Sequence, residues 1–501
     1  MTVGSDKILR SILQIENLEA RAHDVLGIML YLRNMLQPVN KLPPEIIPRI
    51  AQHILQGNTD TYPIIPLTHV CRYWRQSIIS APENWTLISS DRIGLVALTL
   101  ERSGAAPLQL RLRGSTPIVR NFGDLITPHI QNTEILKFRE LTTLEDFTQT
   151  LPNFPQSMPN LQLLDLRHRG GMPGWDSSTN PFGLFPNTLR SLRLYDTPLY
   201  PPFLEIRTLT ELSLRYDMVQ PSIDTLLDVL KENCSLESVD LDIDSDEYPT
   251  QVSQRQVVVL NRLHHLSITS WDATIARTLI SNIPVRRGAH LGITLRGRSE
   301  GLGLNDVLSG ISMTHLSNLP SSTLMTYQSY TRRIQLDGPN GTFSYIHDAS
   351  LLPPFAELIV LPLTDVKELC LAHSDPSVVF HPSSFPALEA LAIKSHADMS
   401  HLFSALLPNP SLFPSLKSLG FSNCVVSEDF MEELVRFASD HKNTTSAWLH
   451  RVVIDHLGVT FSSFSTIAPT HELEKHVPIV DVRLGGEFPT DLIDGHFFAF
   501  P

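Results

Sequence analysis

The stretch that decides the fold runs from Leu189 to Leu241: LRSLRLYDTPLYPPFLEIRTLTELSLRYDMVQPSIDTLLDVLKENCSLESVDL. Three times within it the pattern L-x-x-L-x-L appears, where L is any aliphatic residue or Phe: Leu189/Leu192/Leu194, Leu209/Leu212/Leu214 and Leu236/Val239/Leu241. The last two apolar positions are two residues apart, so they share one face of a strand. The pattern extends outward on both sides. Leu161/Leu164/Leu166 precedes it and Leu263/Leu266/Ile268 follows. It returns at Val366/Leu369/Leu371, Leu388/Leu391/Ile393, Leu416/Leu419/Phe421 and Leu449/Val452/Ile454. Successive copies are spaced 28, 20, 27 and 27 residues, then 103, then 22, 28 and 33.

A single L-x-x-L-x-L is common by chance, but nine copies at similar spacing are not. Most spacings fall in or near the 20–29-residue period of leucine-rich repeats. The expected fold is therefore α/β, an irregular leucine-rich-repeat solenoid over residues 100–480. Weaker copies at Leu136/Phe138, Leu291/Ile293/Leu295 and Ile334/Leu336 partly fill the long gap. The Ser/Gly-rich stretch 297–330 is the candidate insertion. The Asn or Cys that such repeats carry later in each unit is mostly missing. Helices are expected at 222–232, with Ser222 as N-cap, and at 427–440, with Ser427 as cap and Phe430, Leu434 and Phe437 as the buried stripe. Residues 487–501 are expected to be a loose tail.

In such a strand the x positions of x-L-x-L-x face outward. The early rows, as the sequence orders them, carry Arg167, Arg193, Tyr195, Glu211, Arg215, Asp240 and Asp242, and these are the candidate substrate-binding residues. Their sign moves from basic to acidic. The later rows (Ala390, Ala392, Ser418, Gly420) are small. For any one of these residues a merely solvated strand face is an equal reading, because repeats bind collectively.

Upstream the pattern is helical. Residues 5–37 form an amphipathic N-terminal helix, with Ile8, Ile12, Ile15, Ala22, Leu26 and Met29 on one stripe and Leu18, Val25 and Leu32 beside it. It is expected to pack on the next domain; pairing as a coiled coil is the other option. Residues 38–95 form a small helical unit. Leu42-Pro43-Pro44 reads as an extended entry to a helix. Ile46, Ile47, Ile50 and Ile54 supply its buried face, and Leu67, Val70, Cys71 and Trp74 recur at helical spacing. Trp85 is expected to pack back on this core.

Composition sets the outer limits. The 501 residues include 42 % apolar and 18 % charged side chains, ordinary for a folded protein. The formal net charge of −13 argues against nucleic acid as a partner. Four widely separated cysteines form no CxxC pair. No long apolar run suggests a membrane span, and the charged N-terminus lacks a signal-peptide core. The expectation is a cytoplasmic and/or nuclear protein.

Chemistry-bearing motifs fail on spacing. In His471-Glu472…His476 the second histidine is one residue too far for a zinc-binding HExxH. Asp240, Asp242, Asp244 and Asp246 lack the Gly and Glu of a calcium loop, and read as the solvated end of a strand. No phosphate loop and no nucleophile elbow occur. No catalytic residue, metal site or cofactor is expected, and the protein is expected not to be an enzyme.

The segment Leu42 to Trp85 resembles an F-box. The resemblance rests on Leu42-Pro43, Glu45-Ile46-Ile47, Ile50, Leu67 to Trp74 and Trp85. Together with the long N-terminal helix and irregular repeats, the chain looks like the F-box-like proteins of mushroom-forming fungi. The resemblance implies docking on the Skp-type adaptor of a cullin–RING (SCF-type) ubiquitin ligase complex, with the repeats binding an unknown protein substrate. By matching position it implies adaptor-binding roles for Leu42, Pro43, Ile46, Ile47, Ile50, Leu67 and Val70. Ala51 stands where such motifs carry a bulky Phe, and Pro48 falls inside the predicted first helix; both count against adaptor affinity. The alternative is a non-enzymatic repeat scaffold with a degenerate F-box.

Overall fold

The structure is a computed structural model. It describes residues 3–56, 58, 61–113, 122–141, 158–168, 185–197, 199, 201–216, 222–243, 257–296, 307–308, 311, 316, 322, 324–328, 333–338, 341–347, 363–372, 385–394, 413–422, 428–444, 448–456 and 467–484. The fold is mixed α/β, dominated by parallel strands. The chain divides into two compact units, Met1–Thr208 and Leu209–Pro501.

The first unit opens with helix α1 (Val3–Leu36), followed by a 3-10 turn at Pro38–Lys41. Three short helices follow: α2 (Ile46–Leu55), α3 (Arg72–Ile79) and α4 (Ile93–Ser103). Five parallel strands complete the unit in sequence order: β1 (Leu87–Ser89), β2 (Leu108–Arg113), β3 (Thr133–Leu141), β4 (Leu163–His168) and β5 (Ser191–Tyr195).

The second unit begins with four parallel strands, β6 (Glu211–Tyr216), β7 (Ser238–Ile243), β8 (His265–Ser270) and β9 (Ala289–Leu295). Helix α5 (Ile223–Glu232) joins β6 to β7, and α6 (Ala273–Asn282) joins β8 to β9. The long gap in the repeat pattern is then explained by three strands: β10 (Leu324–Gln328), β11 (Arg333–Gly338) and β12 (Gly341–His347). They are spliced in backwards. β12 pairs parallel with β9, β11 is antiparallel to both β10 and β12, and β10 pairs parallel with β13 (Glu368–Ala372). An odd number of antiparallel strands restores the original direction, so β14 (Ala390–Lys394), β15 (Ser418–Ser422), β16 (Arg451–His456) and β17 (Ile479–Leu484) resume the parallel order. The copy expected at Ile334/Leu336 therefore lies on the antiparallel β11 and is no repeat of the series. The observed insertion includes 324–347, beyond the 297–330 expected. Helices α7 (Glu428–Thr444) and α8 (Ile467–Glu474) separate the last strands.

The core follows the leucine pattern. In all nine copies the three apolar positions are buried, from Leu161/Leu164/Leu166 to Leu449/Val452/Ile454. A fourth apolar or small position, three residues before the first leucine, completes most copies. The amide of the first leucine bonds back to its carbonyl in Met158–Leu161, Pro186–Leu189, Asn233–Leu236, Leu260–Leu263, Leu363–Val366, Phe385–Leu388 and Phe413–Leu416, at 3.1–3.2 Å. This repeated turn launches seven of the nine strands from an equivalent position, buried except at the half-buried Pro186.

The missing Asn or Cys has a substitute elsewhere in the unit. The residue just before the first leucine reaches a backbone carbonyl of the preceding copy: Asn160 to Gln131 (3.0 Å), Thr188 to Pro159 (2.8 Å), Thr208 to Leu189 (2.6 Å), Ser235 to Leu209 (2.8 Å) and Ser415 to Pro386 (3.4 Å). Short hydroxyl and amide side chains satisfy carbonyls that the turns leave open.

Other expectations fare unevenly. Ser222 caps α5 by accepting from the Thr225 amide at 3.1 Å. Phe430, Leu434 and Phe437 form the buried stripe of α7. Ser427 and the tail 487–501 lie outside the described residues. The N-terminal helix departs most from expectation. Every residue from Leu13 to Leu36 is exposed except the half-buried Asn34, so α1 does not pack lengthwise on the next domain. No helix among the described residues is long and apolar enough to cross a membrane.

Candidate functional site

The small helical segment of the first unit has its own core: Ile47, Ala51, Ile64, Trp74, Ile78 and Trp85. Trp85 is fully buried, and its indole N–H donates to the Ile78 carbonyl at 3.0 Å. The Arg102 guanidinium caps its ring at 4.3 Å. The α2 stripe has a hydrophobic side with Ile47 and Ala51 at its centre, as the i, i+4 spacing requires.

Two departures noted in the sequence change meaning here. Ala51 is fully buried in this core. It bears on packing volume and not on a surface offered to a partner. Pro48 is the third residue of α2, because Glu45 is the N-cap and the helix starts at Ile46. The first four amides of a helix have no intrahelical acceptor, so Pro48 removes no hydrogen bond.

The sequence-derived docking residues fall into two groups. Ile47 is buried in the core and supports the fold; it cannot touch a partner. Leu42, Ile46, Ile50 and Leu67 are half-buried, and Pro43 and Val70 are exposed. Leu67 packs against the core from its rim. Leu42 and Pro43 are held in place by residues the sequence reading overlooked. The Tyr73 hydroxyl donates to the Leu42 carbonyl at 2.7 Å. The Trp74 indole donates to Asn40 Oδ1 at 2.8 Å, and the same side chain donates through Nδ2 to the Asn34 carbonyl at 2.6 Å. Asn40 thus ties the end of α1 to α3. Leu42, Pro43 and Pro44 line a groove of about 940 Å³ together with Tyr31 and Met35 of α1 and Tyr73 of α3.

The strand face of the first unit carries a second candidate surface. Register places Arg111, Lys137, Asp165 and Arg193 in one row, and Arg113, Arg139, Arg167 and Tyr195 in the next. Six of these eight side chains are cationic, in a chain whose net charge is −13. Neighbouring strands lie about 4.8 Å apart, so like charges are close. Asp165 is the counterweight. It is 1 % exposed and accepts from Arg167 through both carboxylate oxygens, at 3.0 and 3.2 Å. That bond raises the Arg167 pKa further, and the guanidinium also stacks over the Tyr195 ring at 4.1 Å. Burial lowers the Lys137 pKa, and the Arg111 charge lowers it further. Arg111 is partly structural, donating to the Asn58 carbonyl at 2.6 Å. The sequence reading found Arg167, Arg193 and Tyr195 but missed Arg111, Lys137 and Arg139. The alternation Leu108/Leu110/Leu112 was the available signal for β2.

In the second unit the corresponding residues behave differently. Glu211, Arg215 and Asp240 are exposed. Asp242 is not at a solvated strand end: it is buried, with Arg296 at 2.8 Å and Arg215 at 3.5 Å. Its oxygens are committed to two arginines, so it positions Arg215 and is not itself open to a partner. Ala390, Ala392 and Ser418, expected to face outward, are buried. His471 is exposed beside Glu474 at 3.0 Å, as a solvated helix face requires. Among the described residues no cluster of His, Cys, Asp or Glu could hold a metal ion.

No protein family matches the chain, and no curated protein matches it.

Proposed function

We propose that this chain is the substrate-recognition subunit of an SCF-type ubiquitin ligase, with an F-box-like segment docking on a Skp-type adaptor and a leucine-rich-repeat solenoid holding a protein substrate. The observation that carries the reading is the pinned Leu42–Pro44 segment. The Tyr73 hydroxyl donates to the Leu42 carbonyl, and just upstream Asn40 joins the Asn34 carbonyl to the Trp74 indole. Leu42 is half-buried there, Pro43 is exposed, and Val70 is 52 % exposed. A preordered apolar ledge costs little entropy to dock. Leu42, Pro43, Ile46, Ile50, Leu67 and Val70 make up this docking side, and Ile47 supports it from inside. Ala51 was the reason to favour a scaffold with a degenerate F-box. Its place in the core removes that reason.

The substrate chemistry follows from the strand face of the first unit. Arg113, Arg139 and Arg193 beside Lys137 suit an acidic segment of a protein. Attraction of that kind weakens with salt, because exposed charges are screened over about 8 Å at physiological ionic strength.

Titration calorimetry of the full chain against a purified Skp-type adaptor tests the docking half. Binding at about 1 µM or tighter is expected. Leu42→Asp with Val70→Asp should weaken it by roughly 100-fold, the loss of two buried anchors, with an unchanged thermal melt. Absence of wild-type binding at about 50 µM, or full binding by the double variant, would overturn the reading.

A further inference from the structure

We infer that α1 pairs with α1 of a second copy of this chain as a two-stranded coiled coil. The inference is independent of the adaptor reading. Its starting point is the exposure of the helix. From Leu13 to Leu36 the described residues leave Leu18 65 %, Met29 63 %, Leu32 54 % and Leu36 74 % open. Apolar surface of that extent on a soluble helix is ordinarily covered.

The pattern of those residues specifies what covers them. Assigning a to Ile15 places Ala22, Met29 and Leu36 at a, and Leu18, Val25 and Leu32 at d. All seven positions are apolar without a break, over three heptads, the length at which a coiled-coil seam becomes a specific signal. At e and g the charged Glu19, Arg33 and Arg21 alternate with the apolar Leu26, Ile28 and Met35, which widen the apolar stripe. A heptad seam is complementary to itself, because in a parallel pair a meets a and d meets d. Each large seam side chain hides roughly 100 Å², so two helices remove about 1,200 Å² from water, the lower bound of a stable interface.

Part of the groove's α1 lining lies opposite the seam. At about 100° per residue, Gly27, Tyr31 and Asn34 lie opposite Ala22, Met29 and Leu36. Gly27, Tyr31 and Asn34 line the groove that Leu42 and Pro43 share. Ile28 and Met35, at g beside the seam, line the same groove, so the seam and the groove share an edge.

The mass of the purified full chain, measured by light scattering at about 10 µM, tests the inference. Wild type should elute at twice 56.1 kDa. Val25→Glu with Leu32→Glu should elute as the single chain, and Tyr31→Glu on the opposite face should remain paired. A single-chain wild type, or a double variant that stays paired, overturns the inference. So does a single-chain wild type that takes up a Skp-type adaptor only while the seam is intact, since that assigns the seam to the adaptor. Should the double variant unfold, oxidation decides instead. Leu32→Cys should cross-link two chains above the wild-type background and Ala20→Cys, at f, should not; equal cross-linking by both overturns the seam.

Discussion

The outward strand positions of the first unit carry Arg111, Lys137, Arg139, Arg167 and Arg193 around one buried carboxylate, whereas β6 and β7 of the second carry Glu211, Ser213, Asp240 and Asp242 with Arg215. The inward positions hardly differ: leucine, isoleucine and valine in the same register, all buried. The two faces of one strand thus do separate work. The inward face is fixed by packing, where a lost methylene costs about 1 kcal/mol, and the outward face is free to set charge. The same contrast holds between Asp165 and Asp240. One is buried and bonded to the Arg167 guanidinium, and the other is exposed with Ser213 at 3.4 Å.

The sharpest way to break this comparison is charge reversal on the first unit. Arg193→Glu with Arg139→Glu should weaken binding of a polyglutamate probe by about 100-fold at low salt, while the reversed pair at Asp240 and Glu211 leaves it within a factor of about 3. Fluorescence anisotropy at two ionic strengths reads both; equal effects would mean that the cationic rows are not the binding face.

Removing the counterweight comes next. Asp165→Ala strands Arg167 and its neighbours and should cost about 3 kcal/mol by urea melting, where Asp240→Ala should stay within about 0.5 kcal/mol. A small loss at Asp165 would mean that the cations relax into solvent. Ala51→Phe tests the claim that this position is core. It should destabilise by about 2 kcal/mol through overpacking, and stabilisation would reveal an unfilled cavity.

Acid should distinguish the units. His441 in α7 is fully buried, and its Nε2–H donates to the Phe413 carbonyl at 3.1 Å. Burial lowers its pKa below the ordinary 6.5. The unfolded chain then binds the proton first, so stability falls as pH drops below 6.5 toward the folded pKa. Hydrogen exchange around α7 should rise between about pH 7 and 5, and His441→Gln should flatten that dependence. The smallest effect belongs to the hydroxyl ladder. Thr188→Val should cost about 1 kcal/mol, one neutral hydrogen bond, measured by the same urea melts.

Much of the strand core was legible because its signal is local. Leu164 and Leu166 share a face through strand alternation alone, whatever lies around them. The turn three residues upstream was equally local, yet its anchor varies among Met158, Asn233 and Phe413, and no single residue type marks it. The cationic rows were half legible. Arg167 and Arg193 announced themselves inside the repeats, but Lys137 and Arg139 joined them only through the pairing of β3 with β4. The ledge proposed for docking was legible as Leu42, Pro43 and Val70. Asn40 and Tyr73, which hold it, were not, since their bonds span 34 and 31 residues of sequence.

By itself the sequence determined the periodic core, the helical N-terminal half of the first unit and the apolar stripe of α1, because each follows from side-chain spacing along one element. Tertiary structure alone decided that Ala51 is core, that Asp165 and Asp242 are enclosed by arginines, and that β10–β12 enter in reverse order. Burial and strand order depend on which distant segments meet, and no spacing within one element records that.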